Sequence, residues 1–307
     1  MRFLFVDKLF SLDPGKSIQG CKQISANTAY LTEATQGQPY FMPTLIGETV
    51  GQLAAWNVMA FHQFQKRPVA GVVASTYFKR PAYVGETIDL EAVIENLDET
   101  AVEYRGIASI HGEMILQIEG AIGPLLPMTD FIEVAEVKSQ FDHLLSSHLP
   151  AVESSPSLCI PPCLPPLDFD QIIEFQPEMR LIAEMTVPPT APYFADHFPN
   201  KPVLPMTILL AYKLNLAHRF MKETSLSNSY QAKEFRKIKM SNFVSPGETL
   251  RCELKLKQRS MQEYILTFLS TVNKKRVCIA ELLIELTTTK NNDDCLYGTN
   301  ALSENVL

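Results

Sequence analysis

Hydrophobic and polar positions follow two periods along this chain. The stretches "LIGETVGQLAAWNVMAF" and "ILLAYKLNLAHRFM" are apolar on nearly every side, which a surface helix is not. They predict buried helices over about Thr44–Gln65 and Thr207–Lys222. Pro43 and Pro205 stand just before or at the helix starts, where a missing N–H costs little. Elsewhere apolar and polar residues alternate with period two, which predicts strands. In the first part of the chain these fall at Gly71–Tyr77, Thr87–Glu95, Ala101–Ile110 and Glu113–Leu125. In the second part they fall at Arg236–Asn242, Thr249–Lys257, Tyr264–Val272 and Arg276–Leu286. A strand precedes each helix, at Ile18–Ile24 and Met179–Val187. One apolar helix followed by an antiparallel meander predicts a sheet wrapped around that helix, and the pattern occurs twice.

The two occurrences are copies. At an offset of 163 residues, "TAYLTEATQGQPYFMPTLIGE" (Thr28–Glu48) lies without a gap on "APYFADHFPNKPVLPMTILLA" (Ala191–Ala211). Identities fall at Tyr30/Tyr193, Pro39/Pro202 and Thr44/Thr207, with similar pairs at Leu31/Phe194, Glu33/Asp196 and Leu45/Ile208. At an offset of 162, "VGETIDLEAVIE" (Val84–Glu95) matches "PGETLRCELKLK" (Pro246–Lys257). Two collinear blocks at nearly one offset indicate a duplicated domain. The expected organisation is a first domain over 1–127, a Pro/Ser-rich crossover over 128–176 with one short helix near Phe131–Leu145, a second domain over 177–290, and a disordered polar tail over 291–307.

Composition narrows the function. The apolar N-terminal segment "MRFLFVDKLF" is interrupted by Asp7 and Lys8 and reads as a strand rather than a leader. No apolar run approaches the ~18 residues of a membrane span. Six cysteines in 307 residues are too few and too scattered for a disulfide framework, which fits a reducing cytoplasm. The pair in "CIPPC" (Cys159, Cys163) has no second ligand pair beside it, so it reads as linker and no metal site is expected. Net charge is −7, yet residues 178–290 carry 17 basic and 10 acidic residues. The basic clusters "KEFRKIK" and "KKR" suit an acidic partner better than nucleic acid, since no recognition motif accompanies them.

The segment "DHFPNKPVLPMTILL" resembles the helix-entry motif of the hot-dog-fold 3-hydroxyacyl-[acyl carrier protein] dehydratases of the FabA/FabZ type. "SPGET" and the N-terminal "RFLFVDKLFSLDPGKSIQG" are similar to that family too, and the resemblance covers nearly all of 1–127 and 178–290. It implies an α+β fold: a tandem double hot-dog in one chain, two antiparallel sheets each wrapped around a long central helix, forming a pseudo-dimer. In the family the active site lies between two subunits. One gives a histidine and a backbone N–H at the helix start, and the other gives an acid from its helix.

Transferred onto this chain, the resemblance puts the histidine at His197 and the N–H at Met206, which replaces the family's glycine. The acid position of the second copy is Ala211, which has no acid chemistry. In the first copy Ala34 and Pro43 replace the histidine and the N–H donor, while Glu48 occupies the acid position and Gln52 the family's glutamine position. One site, His197 with Met206 and Glu48, therefore has every part, and its mirror image has none. Gln52, Phe198, Pro202 and Asn215 are expected to support the substrate, and Arg236, Lys237 and Lys239 to dock an acidic carrier protein. The implied reaction is dehydration of a 3-hydroxyacyl thioester, carried on the phosphopantetheine of a carrier protein or on coenzyme A, to the trans-2-enoyl thioester, without metal or redox cofactor. The expected setting is fatty acid or polyketide-like synthesis. A hot-dog acyl thioesterase and a non-catalytic acyl-thioester-binding protein are the alternatives. The expected partners are the thioester substrate and a second copy in a homodimer of double hot-dogs, with neither nucleic acid nor a membrane span.

Overall fold

In the computed structural model the described residues are 3–32, 38–147, 167–223 and 230–286. The strands are β1 (Lys8–Asp13), β2 (Ser17–Gln23), β3 (Leu31–Thr32), β4 (Tyr40–Phe41), β5 (Lys66–Pro68), β6 (Val72–Phe78), β7 (Ala82–Tyr83), β8 (Thr87–Leu97), β9 (Ala101–Ile110) and β10 (Glu113–Pro127). They continue with β11 (Gln171–Gln176), β12 (Arg180–Thr186), β13 (Tyr230–Met240), β14 (Thr249–Arg259), β15 (Glu263–Val272) and β16 (Lys275–Leu286). The α-helices are α1 (Pro43–Phe61), α2 (Val134–Ser146) and α3 (Met206–Glu223).

One large antiparallel sheet runs in the order β1-β2-β8-β9-β10-β6-β13-β16-β15-β14-β12-β11. Its two halves repeat a single strand order about the central β6–β13 pairing, where Thr76 faces Phe235 and Val73 faces Ile238. In each half a long helix leaves after the second strand and returns to the strand at the seam. α1 packs on β2, β8, β9 and β10 and touches α3. Gly106 of β9 is what admits α1 so closely, because a β-carbon there would run into Val50 Cγ1. A single cluster of buried apolar residues extends from Phe3 to Ile284 through both halves.

Hydrogen bonds recur at the repeat offset. Gly85 and Gly247, both at positive φ (98° and 80°), donate to Ile24 O and Val187 O. The carboxylates that follow, Glu86 and Glu248, accept from the N–H groups of Tyr83 and Ser245, each at 2.7 Å. Asp7 accepts from Gln23 N at 2.7 Å as Asp170 accepts from Thr186 N at 2.6 Å. Each matched Gly-Glu-Thr triplet thus builds the same left-handed turn, which glycine enters without steric cost.

Three expectations change. The N-terminal segment is not a strand before Lys8, although Phe3 and Phe5 are buried. The crossover is shorter than 128–176, since Gln171–Gln176 already pairs with β12 as the first strand of the second half. Strand β13 begins six residues before the expected Arg236. Its reach was obscured by Lys237, a charged residue at φ 51° where the pairing slips, which breaks the period of two. The expected helix at Phe131–Leu145 forms as α2. Cys159, Cys163 and the tail lie outside the described residues, and no described helix is long and apolar enough to cross a membrane.

Candidate active site

A cavity of about 430 Å³ lies between the halves, where α1, α3, β6, β10 and the turn before α3 converge. Glu48, Gln52, His197, Phe198 and Met206 all line it. Most of its lining is apolar, with Val73, Phe78, Ile118, Leu210 and Phe235 among its residues.

Glu48 sits one turn into α1, a helix with no other acid in its first turn. Its Oε2 accepts from Thr207 Oγ1 of α3 at 2.7 Å, and its Oε1 accepts from Gln52 Nε2 at 3.1 Å. Burial pushes the Glu48 carboxyl above the usual carboxylate range; both hydrogen bonds and the charge of Arg67 oppose that rise without cancelling it. Gln52 also ties down the N-terminal segment, donating to Phe3 O at 3.0 Å and accepting from Phe5 N at 2.9 Å. The acid is therefore held in place by the other half's helix and by the N-terminal segment.

His197 lies on the turn between a 3-10 segment (Pro192–Ala195) and α3. Its N–H donates to Tyr193 O at 2.8 Å and its carbonyl accepts from Val203 N at 3.1 Å. Ring Nδ1 is 3.3 Å from Val203 O, a contact that requires the proton on Nδ1 and leaves Nε2 free as a base. The ring stacks on Phe198 at 4.0 Å, and Phe3 meets its edge at 5.7 Å. Asp196, next door, accepts from Phe3 N at 2.6 Å, so the first half's N-terminus braces the second half's histidine turn. Burial, and then the charge of Arg67, pushes the His197 pKa down to about 3. Both Glu48 and His197 keep some surface toward the cavity, yet protein encloses them over the range at which water screens charge.

That depression couples to stability. The unfolded chain takes up a proton on this histidine near 6.5, but the folded chain does so only near 3. Stability is therefore full above 6.5 and is lost as pH falls toward 3. Thermal melts over that window should show a steeper loss for the wild type than for His197→Gln; equal slopes would mean that the ring is solvated in the folded state.

Met206 is the first residue of α3, so no carbonyl within the helix can accept its N–H. The mirror position, Pro43, has no N–H at all. Thr44, the repeat partner of Thr207, has its Oγ1 buried without a hydrogen-bond partner, and the acid position it would meet is Ala211. The histidine position of the first copy, Ala34, lies outside the described residues.

Other expected residues lie elsewhere. Asn215 donates to Leu167 O at 2.9 Å and holds the start of the second half, much as Gln52 holds Phe3, and it is not part of the cavity wall. Pro202 is exposed and also outside that wall. Arg236 and Lys237 pair with Glu281 at 3.4 and 3.3 Å, a carboxylate that Lys257 shares at 2.6 Å, so the cluster keeps a net positive charge. Lys239 is exposed, next to Met240, which lines the cavity.

Three cavity residues escaped the sequence reading. Thr207 was visible as a repeat identity with Thr44 but carried no chemical signal of its own. Tyr104, on a strand, has its hydroxyl pKa raised by burial and by Glu48. Arg67 belongs to "QKRP" at a helix end, which reads as a solvated cap, yet it lines the cavity and lies with Cζ 4.0 Å from the Phe198 ring centroid.

The ApeI-like family model, described as ApeI dehydratase, matches residues 174–281. The 3-hydroxyacyl-[acyl-carrier-protein] dehydratase FabZ of Roseiflexus sp. is 31% identical over 132 residues, covering 42% of this chain and 92% of that protein. The FabZ of Clostridium acetobutylicum is 27% identical over 117 residues, 38% of this chain and 83% of its own. Solved structures extend over both halves. A MaoC-like dehydratase aligns with a TM-score of 0.53 at 10% identity over 89% of this chain and 98% of its own. A putative oleoyl thioesterase from Lactobacillus plantarum aligns at 0.56 and 10% identity over 89% and 97%; at such identity both show the fold alone. With a helix-entry histidine, a buried helical carboxyl and these relatives, the chain belongs to the hot-dog-fold 3-hydroxyacyl-[acyl-carrier-protein] dehydratase family.

Proposed function

We propose that this chain is a tandem double hot-dog that dehydrates 3-hydroxyacyl thioesters to trans-2-enoyl thioesters at one composite site. The observation that carries this reading is that Glu48 of the first half and His197 of the second line one cavity, with Thr207 donating to Glu48 across the boundary. The FabZ relatives span about two-fifths of the chain each, as expected if one such unit corresponds to one half.

Each group then has one task. The neutral His197 Nε2 removes the proton alpha to the thioester carbonyl. Charge developing on the carbonyl oxygen is met by the Met206 N–H at the positive end of α3. The protonated Glu48 gives its proton to the departing β-hydroxyl, which leaves as water. Proton return from His197 to Glu48 closes the cycle. The apolar lining takes the acyl chain, and the carrier is an acyl carrier protein or coenzyme A. Lys239, beside the cavity-lining Met240, with Arg236 and Lys237 behind it, forms the basic approach for an acidic carrier protein.

The test follows crotonyl and 3-hydroxybutyryl carrier-protein thioesters by enoyl absorbance and by free-thiol release in parallel. Interconversion without thiol release is the expected result. Thiol release alone would make the chain a thioesterase, and neither signal would make it a binding protein.

A further inference from the structure

Resting on the dehydratase reading, we propose that Arg67 is a third catalytic group, whose guanidinium carries the negative charge of the thioester enolate. Arg67 lies at the centre of β5, opposite Leu126 of β10, and reaches into the cavity that holds Glu48 and His197. Its neighbour Lys66 instead bonds Glu99 at the exposed edge. Its Cζ lies 4.0 Å from the Phe198 ring centroid and 5.5 Å from that of Phe131, a cation–π setting that holds the guanidinium against the two rings.

This cation is without an ion pair among the described residues, and the Glu48 carboxyl acts on it only at a distance. Arg67 forms no salt bridge or side-chain hydrogen bond among the described residues, and its Nε is buried without an acceptor. Burial lowers its pKa to about 10, so it stays charged at neutral pH, and its field reaches both Glu48 and His197. An unpaired buried charge is costly to keep and marks a place where an anion belongs. Glu48 does not pair with Arg67, because its two oxygens are engaged by Thr207 and Gln52 and burial raises its pKa. Most of the cavity lining is apolar, which suits an uncharged acyl chain rather than an anionic tail. The reaction itself supplies the charge where Arg67 sits. When His197 takes the alpha proton, the C–H electron pair moves onto the thioester oxygen. When that enolate collapses, the C3–O bond breaks, hydroxide takes the Glu48 proton and water leaves. The guanidinium is placed to pair with the oxygen between those two events, adding a full charge to the partial charge of the Met206 N–H. At the repeat offset the second half has Tyr230, whose hydroxyl is engaged with His218 at 2.6 Å, so the mirror position offers no cation.

The full-length chain decides this through Arg67→Met and Arg67→Lys, read by kcat, KM, the pH profile of kcat/KM and thermal melting. Losing one such charge-stabilising donor is expected to lower kcat about 10²- to 10³-fold, with KM changed less than about threefold and Arg67→Lys falling between. The pH profile of Arg67→Met should move to higher pH on both sides, since His197 and Glu48 each lose a cation that lowers their pKa. Its melting temperature should match or exceed the wild type's, because an unpaired buried charge is gone. Should Arg67→Met melt below the assay temperature, Arg67→Gln replaces it under the same criteria. A kcat within about threefold of wild type, a loss confined to KM, or an unmoved pH profile overturns the assignment. A wild-type chain without turnover would sink the dehydratase reading and this assignment together; an active wild type beside an unimpaired Arg67→Met removes Arg67 alone.

Discussion

Glu48→Gln is expected to lower dehydration about 10³-fold and to leave the melting temperature nearly unchanged. The substitution keeps the shape and both hydrogen bonds. The new carbonyl accepts from Gln52 as Oε1 does at 3.1 Å, and the Thr207 hydroxyl rotates to accept from the new amide across the present 2.7 Å contact. What goes is the transferable proton. Because burial raises the Glu48 pKa, the wild type keeps its acid protonated to higher pH than an ordinary carboxylate. Its rate should therefore fall only as pH rises through that raised value, and Glu48→Gln should have no such alkaline limb. Retention of the limb in the variant would assign it to another group.

His197→Ala produces a loss of the same order, but with a different pH signature. The base must be unprotonated, and with its pKa near 3 it is so throughout the range in which an ordinary histidine, near 6.5, would take up a proton. The wild-type profile should thus stay flat on its acid side through 6.5. An acid limb near 6.5 would mean that the ring is solvated when substrate enters, and activity within about tenfold of wild type in His197→Ala would remove the histidine from the mechanism.

Much of this molecule could be read from its residues, for identifiable reasons. The buried helices were legible because their apolar character is not confined to one face, and the strands because period two survives along most of each one. The duplication was legible because turns impose sequence: Gly85 and Gly247 must take positive φ, and Glu86 and Glu248 must cap the same N–H. The pairing of His197 with Glu48 came from matching two defective copies, and both residues line one cavity. Illegible were contacts made only by tertiary approach. Arg67 lies in an unremarkable basic run and acquires its setting from Phe131 and Phe198. Asn215 and Gln52 hold the ends of their own halves, a task that helix spacing does not reveal. The ion pairs of Arg236 and Lys237 with Glu281 were illegible because that residue lies 45 and 44 residues away along the chain, although it stands beside them on β16.

The claim that one site is assembled from both halves is tested most directly by the double variant His197→Ala/Glu48→Gln, compared with each single variant in the same dehydration assay. Groups that act as one unit are not additive. The expected result is that each single variant has lost about 10³-fold and the double variant is no more than a few-fold worse than either. Two independent sites would instead leave each single variant with about half of the wild-type rate and abolish turnover only in the double variant, and that outcome would contradict the account.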